Sequence, residues 1–198
     1  MMDYSELGSI ISFVKKAEGL KNTLRSGYTS SGKKESVADH TWRLTLFAVM
    51  LYDQYFSHLD FQKLVKICLI HDLGEIVNGD IPAPDQSNKP SKSANEEIDF
   101  RAIINPLPEE MKDELMNLWK EYEEASSEEA RLVKALDKLE TLIQHNQGSN
   151  PPDFDYEFNI TYGRHYTDMF EVTRLIRKIT DEETRNRIRD TKKKDSSE

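Results

Sequence analysis

Apolar residues recur at helical spacing along nearly every long segment of this chain, and nothing alternates convincingly over the length of a strand. Leu7, Ile10, Ile11, Phe13 and Val14 mark a helix over 4–20, and Leu44, Phe47 and Leu51 mark another over 37–56. Leu64, Ile67, Cys68 and Leu73 continue the pattern over 61–77. A turn-rich stretch from Asn78 to Pro90 follows, punctuated by Gly79, Pro82 and Pro84. Three more helical patterns occupy 93–104, 108–124 and 127–147. Pro106 and Pro108 separate the first two, and Ser126-Ser127-Glu128-Glu129 supplies a start for the third. Asn150-Pro151-Pro152 breaks the chain before an aromatic-rich loop with Phe154, Tyr156, Phe158 and Tyr162. Helices are expected over 163–178 and 181–190, ahead of a frayed tail from Lys192. With no internal repeat, the pattern predicts an all-α single domain. Residues 1–180 form the domain, with its core at about 20–147 and peripheral helices at both ends, and 181–198 are a short helix and a disordered tail.

The stripes are interrupted where they should be most apolar. Ser36-Val37-Ala38-Asp39 reads as a capping-box start that puts His40 in the first helical turn. His40, Leu44, Phe47 and Leu51 then share one helix face, so the imidazole lies on the stripe that goes inward. In the next helix Leu64, Cys68, His71 and Glu75 share a face, and Asp72 extends the line from Val65 and Cys68. Asp137 stands four residues after Val133, beside the Leu132, Leu136 and Leu139 stripe. A buried carboxylate costs several kcal/mol unless it is paired or coordinates a metal. Each residue has a plainer reading alone: a hydrogen-bonded core histidine, a solvated aspartate on a helix flank. Together, two histidines and two aspartates from three helices make a mixed nitrogen and oxygen ligand set. That set suits Mn²⁺, Co²⁺, Mg²⁺, Fe²⁺ or Zn²⁺, with positions open to water and substrate.

Charge narrows the partners. The formal net charge of −9 over 198 residues argues against a nucleic-acid binder, whose affinity rests on Lys and Arg neutralising phosphates. A phosphate-bearing ligand would need positive charge supplied locally, by a metal or a few placed basic side chains. No stretch approaches the ~18 uninterrupted apolar residues of a membrane span, and MMDYSELGSI lacks the build of a secretory signal. Cys68 is the only cysteine, so no internal disulfide is expected and a cytoplasmic location is the default.

In these residues the chain resembles the HD-domain superfamily of metal-dependent phosphohydrolases, whose H…HD…D pattern stands here as His40, His71-Asp72 and Asp137. Longer blocks are similar to the 5′-deoxynucleotidase subgroup. They are Glu35 to His40, Ile70 to Glu75, Gly79 to Asp85, Leu118 to Tyr122 and Leu132 to Lys138. The resemblance implies a bundle of about five core helices with extra helices around it, commonly in a homodimer. It also implies that His40, His71, Asp72 and Asp137 hold the primary metal, and that Glu75 and Asp80 act in catalysis or hold a second metal. The substrate it implies is a nucleoside 5′-monophosphate, deoxyribose forms foremost.

Phosphate-monoester hydrolysis is among the slowest uncatalysed biological reactions, so it demands strong charge stabilisation. Glu75 falls one helical turn from His71 and Asp72, placed to orient water or shuttle its proton; the plainer reading is a surface carboxylate. Asp80 follows an Asn-Gly turn and could equally be a turn former. Arg25 is the candidate phosphate clamp, since a guanidinium binds phosphate through two parallel hydrogen bonds; Tyr28 stands where related proteins often have tryptophan. Lys89 and Lys92 could close over the ligand. His58, His145 and His165 read as structural or surface residues, and Cys68 as a small core residue. Alternative readings are another HD-type phosphoesterase, acting on cyclic nucleotides or guanosine polyphosphates, a di-iron oxygenase, or a non-catalytic metal-stabilised helical module. An oxygenase would need more histidine ligands than stand near these motifs, and a purely structural site would not need Glu75.

Overall fold

The computed structural model describes residues 4–81 and 92–195. Helix α1 (Tyr4–Ala17) tightens into a 3₁₀ turn (Glu18–Lys21) and leads to a hairpin of β1 (Leu24–Tyr28) and β2 (Lys34–Ser36). Then come α2 (Val37–Leu51) with a widened turn at Tyr52–Phe56, α3 (Phe61–Ile70), the single-turn α4 (Glu75–Asn78) and α5 (Lys92–Ile104). The chain finishes with α6 (Glu109–Glu124), α7 (Glu128–Gln147), the short α8 (Tyr156–Asn159) and α9 (Arg164–Thr167), and α10 (Glu171–Asp195). The fold is mostly helical, as the apolar spacing predicts.

Helix α7 is the axis of the packing. It touches α2, α3, α6, α9, α10 and β1. Its start is set by Ser127, whose hydroxyl accepts the Ala130 N–H at 3.2 Å. Leu132, Leu136 and Leu139 are fully or almost fully buried, together with Leu44 and Ala48 of α2 and Leu64, Ile67 and Cys68 of α3. Each such aliphatic side chain contributes about 1.5–3 kcal/mol on burial. Cys68 is the small core residue the sequence predicts. No helix among the described residues is long and apolar enough to cross a membrane.

The structure departs from the sequence pattern in three places. First, 24–36 forms an antiparallel hairpin in which Leu24 pairs with Ser36 and Tyr28 with Lys34. Strands of five and three residues are too short to show alternation, and the buried residue of β1 is Gly27, which carries no side-chain signal. A Cβ on Gly27 would stand 3.2 Å from the His145 ring, so its absence lets the strand lie close to α7.

Second, the helix expected over 61–77 stops at Ile70. From there the backbone bonds shorten to three-residue steps, Leu73 N–H to Ile70 C=O at 3.0 Å and Glu75 N–H to Asp72 C=O at 3.0 Å. Gly74 sits at this corner, where an added Cβ would approach the Glu96 carbonyl of α5 to 3.2 Å. His71-Asp72 therefore follows a helix end rather than lying mid-helix.

Third, the two C-terminal helices expected at 163–178 and 181–190 give way to the one-turn α9 and a continuous α10. The polar residues that read as a break are buried and partnered: Thr184 donates to Asn146 Oδ1 at 3.0 Å, and Asn146 donates to the Thr180 carbonyl at 2.9 Å. Arg177, 1% exposed, binds Asp181 at 2.6 Å and donates to the carbonyls of Asn159, Ile160 and Tyr162. This guanidinium fastens α10 to the chain around α8. Replacing it, as in Arg177→Met, should lower the unfolding free energy in urea by about 3 kcal/mol, the scale for breaking a buried ion pair. A loss under about 1 kcal/mol would show that the clamp carries little.

Candidate active site

Three stretches of chain converge, α7 among them. The capping box at Ser36 is complete: its hydroxyl accepts the Asp39 N–H at 3.1 Å, and Asp39 Oδ2 accepts the Ser36 N–H at 3.0 Å. That start fixes His40 in the first turn of α2, fully buried. The corner after α3 presents His71 and Asp72, and α7 presents Asp137. His40, His71 and Asp72 each offer a ligand atom, all within 4.8 Å of one another. His40 Nε2 lies 3.3 Å from Asp137 Oδ1, and His71 Nε2 lies 3.2 Å from Asp72 Oδ2. The four residues singled out from sequence are together.

The ring orientations are held from behind. His71 Nδ1–H donates to the Cys68 carbonyl at 2.9 Å, and His40 Nδ1 meets the Glu140 carboxylate. Each histidine thereby turns Nε2 to the centre, and both Nε2 atoms are buried without a hydrogen bond. Two orphaned imidazole nitrogens facing two carboxylates fit a divalent cation, because such a site fixes the histidine tautomer from the outside and leaves the inner lone pair free.

Electrostatics point the same way. Burial opposes the Asp72 charge, but His71 and then His40 beside it hold its carboxyl well below the usual range. Burial likewise opposes Asp137, while Lys138 at 2.8 Å and His40 hold it well below its ordinary value. Its Oδ2 also accepts the Tyr122 hydroxyl at 3.0 Å. Burial and the neighbouring Arg25 push His40 toward neutrality, yet Glu140 and Asp137 outweigh them and lift it to about 10. The cluster calls for positive charge at its centre.

The centre opens into a cavity of about 800 Å³, a volume suited to a small organic ligand. Arg25, Glu75, Asp80 and Ile81 are among its walls. Arg25 comes from β1 and is largely enclosed, with Nη1 3.7 Å from Asp72, Nε 3.3 Å from Glu35 and Nη2 donating to Thr141 at 2.9 Å. Burial, then the charges of Asp72 and Asp80, push Glu75 up to about 9, so without a cation it carries a proton at neutral pH. Tyr28 stands apart, at the far end of β1. Its backbone N–H and C=O meet Asn150 and Gln144, and it is not a cavity wall. Lys89 lies outside the described residues, as does the side chain of Lys92. His58 is on the surface near Glu128, whereas His145 and His165, expected as structural or surface residues, both border the cavity.

Sequence reasoning passed over several groups. Glu140 is 1% exposed and joins His40 to Arg43, whose Nε donates to it at 2.6 Å. The spacing Leu132, Leu136, Glu140 carries its signal, a charge at the next place on a buried stripe. Glu35, Tyr122, Lys138 and Thr141 have no comparable mark, because each is brought in by the hairpin or by a turn of α6 or α7.

Residues 17–176 match the HD domain family, most of the chain and all four converging residues. The chain belongs to the HD-domain family. Among its relatives, the 5′-deoxynucleotidase HDDC2 of Mus musculus is 36% identical over 140 residues, 70% of this chain and 69% of that protein. The Danio rerio protein of the same name is 32% identical over 186 residues, covering 91% and 90%. A 5′-deoxynucleotidase of Saccharomyces cerevisiae, YBR242W, is 34% identical over 87% of this chain and 70% of its own. The crystal structure of a "predicted metal-dependent phosphohydrolase" from Magnetospirillum magnetotacticum MS-1 superposes with a TM-score of 0.80 at 25% identity, over 93% of this chain and 97% of that one. The HD pattern of this chain thus sits in the same helical frame.

If the centre seats a cation, one that binds only the folded chain stabilises it by about 2.7 kcal/mol at a hundred times its dissociation constant. For a chain of this length that corresponds to a rise in melting temperature of about 5–10 °C. Mn²⁺ or Co²⁺ should produce the rise in the wild type and not in His71→Ala. No shift with any of Mn²⁺, Co²⁺, Mg²⁺, Fe²⁺ or Zn²⁺ would rule the seat out.

Proposed function

We propose that this chain is a metal-dependent phosphohydrolase that removes phosphate from nucleoside 5′-monophosphates, deoxyribonucleotides in preference to ribonucleotides. The observation that carries the reading is the pair of buried, unbonded imidazole nitrogens facing Asp72 and Asp137 beside a buried arginine. The names of the relatives, 5′-deoxynucleotidases in animals and yeast, support the substrate class.

His40, His71, Asp72 and Asp137 would hold the divalent ion. Such an ion supplies Lewis acidity toward a phosphoryl oxygen and lowers the pKa of water. The remaining work falls to the chain itself. Arg25 directs its guanidinium toward the phosphate, where it offsets the negative charge that an acidic protein otherwise repels. Glu75, in the cavity wall beside Asp72 and Asp80, is placed to hold or pass a proton during transfer. Glu140 orients His40, and the Cys68 carbonyl orients His71, so neither ring needs to reorganise. A second cation would meet Glu75 and Asp80, the carboxylates in the wall beyond Asp72.

We extend the reading to a cytoplasmic homodimer. Trp42, Leu46 and Met50 lie at four-residue intervals on α2 and are 65%, 42% and 65% exposed, a row suited to cover by a second copy. Light scattering should return twice 23.0 kDa.

Purified protein with Mn²⁺ or Co²⁺ should release inorganic phosphate from deoxyribonucleoside 5′-monophosphates faster than from the ribose forms, and a chelator should stop it. His71→Ala or Asp72→Ala should abolish turnover, and Glu75→Gln should lower kcat about 10²-fold or more. Full activity in either of the first two variants would refute the assignment.

A further inference from the structure

One side of α7 measures out the cavity. Asp137, Thr141 and His145 lie at four-residue intervals on a single helix face, and all three are cavity walls. Eight residues of α-helix span about 12 Å. The cation centre stands at Asp137, Arg25 reaches Thr141 one turn on, and a further turn of cavity continues to His145. A phosphate at the centre leaves that distant part empty.

The distant part begins at Phe154 beside His145, and residues 154–162 run back along α7 until the Tyr162 ring stands 5.3 Å from the Lys138 ammonium. Phe154 meets the His145 ring edge-on at 4.8 Å between centroids, and Phe158 and Tyr162 lie 5.3 Å apart; all three border the cavity. Among them stands Asn159, 1% exposed. Its Oδ1 pairs with His145 Nδ1 at 3.1 Å, while its Nδ2 is buried and makes no hydrogen bond. Leaving a buried donor unmet costs about 1–3 kcal/mol, and Asn159 is itself one of the residues that line the cavity. Aromatic rings around one polar donor are the chemistry that receives a planar heterocycle, whose faces stack and whose edge carries carbonyl or ring-nitrogen acceptors.

We infer that the Phe154–Tyr162 segment forms a nucleobase seat, in which Phe158 and its neighbouring rings stack on the base and Asn159 Nδ2 donates to an acceptor on its edge. The inference rests on the nucleotide reading above and adds where the base goes. Chemistry and base recognition then lie side by side along α7, with Lys138 between Asp137 and the Tyr162 ring.

The test compares a deoxyribonucleoside 5′-monophosphate with 2-deoxyribose 5-phosphate, which keeps sugar and phosphate and lacks the base. With Mn²⁺ present, the wild type should prefer the nucleotide in kcat/KM. Phe158→Ala and the isosteric Asn159→Asp should each reduce that preference by about 5- to 150-fold, the range for losing one stacked base or one buried hydrogen-bond partner, and mainly through KM. An equal fall on both substrates, or none on either, would overturn the seat. Saturation-transfer NMR with phosphate-free deoxynucleosides gives a readout that needs no hydrolysis. Contact in the wild type that Phe158→Ala abolishes supports the seat even if no phosphate is released, whereas no contact in the wild type overturns it.

Discussion

Glu140 ties α7 to α2 through two partners at once, the Nδ1 of His40 and the guanidinium of Arg43. Everything at the cation centre depends on that link. A carboxylate this deep is tolerable only when its oxygens are met by charge-assisted bonds, and both partners come from the first two turns of α2. Meeting them sets the distance between α2 and α7 at the level of Asp137 and points His40 Nε2 inward. The leucines of α7 supply the affinity between these helices; Glu140 supplies the register.

The charge pattern follows from the same burial. Asp72, Asp137, Glu75, Glu35 and Glu140 crowd around Arg25, Arg43 and Lys138. Burial pushes Glu35 up to about 7, with Glu140 adding to it and Arg25 restraining it. Such a cluster would be a liability in a protein with no further use for it. Here it concentrates the cationic groups of an acidic chain at the place where a phosphate would arrive, and it leaves room for one more positive charge between two imidazoles.

Much of this was legible in the sequence, and the reason is burial. A histidine on a leucine stripe, or an aspartate beside one, sits awkwardly in the helix that carries it, and His40 and Asp137 stand out as a ligand set only in company with His71-Asp72. The long helices α5, α6 and α7 begin within a residue or two of their expected starts because prolines and capping serines mark them. The hairpin was hidden because Gly27 faces inward and contributes nothing to a hydrophobic pattern. The break after Ile70 was hidden too, since Leu73 and Ile76 keep helical spacing across a corner that Gly74 makes. Arg177 illustrates the converse: a guanidinium in a charged C-terminal helix reads as surface, and only the loop carbonyls around Asn159 explain why it is inside.

That guanidinium has a consequence for how the family can diversify. The aromatic wall hangs from α10 through Arg177, while the imidazoles and carboxylates hang from α2, α3 and α7. The two assemblies meet along α7, where Tyr162 lies against Lys138 and Asn159 pairs with His145, so the places where the wall can be remodelled without loosening the reactive end are Phe154 and Phe158, which make neither contact. Ligand preference can therefore drift in evolution while the chemistry stays put.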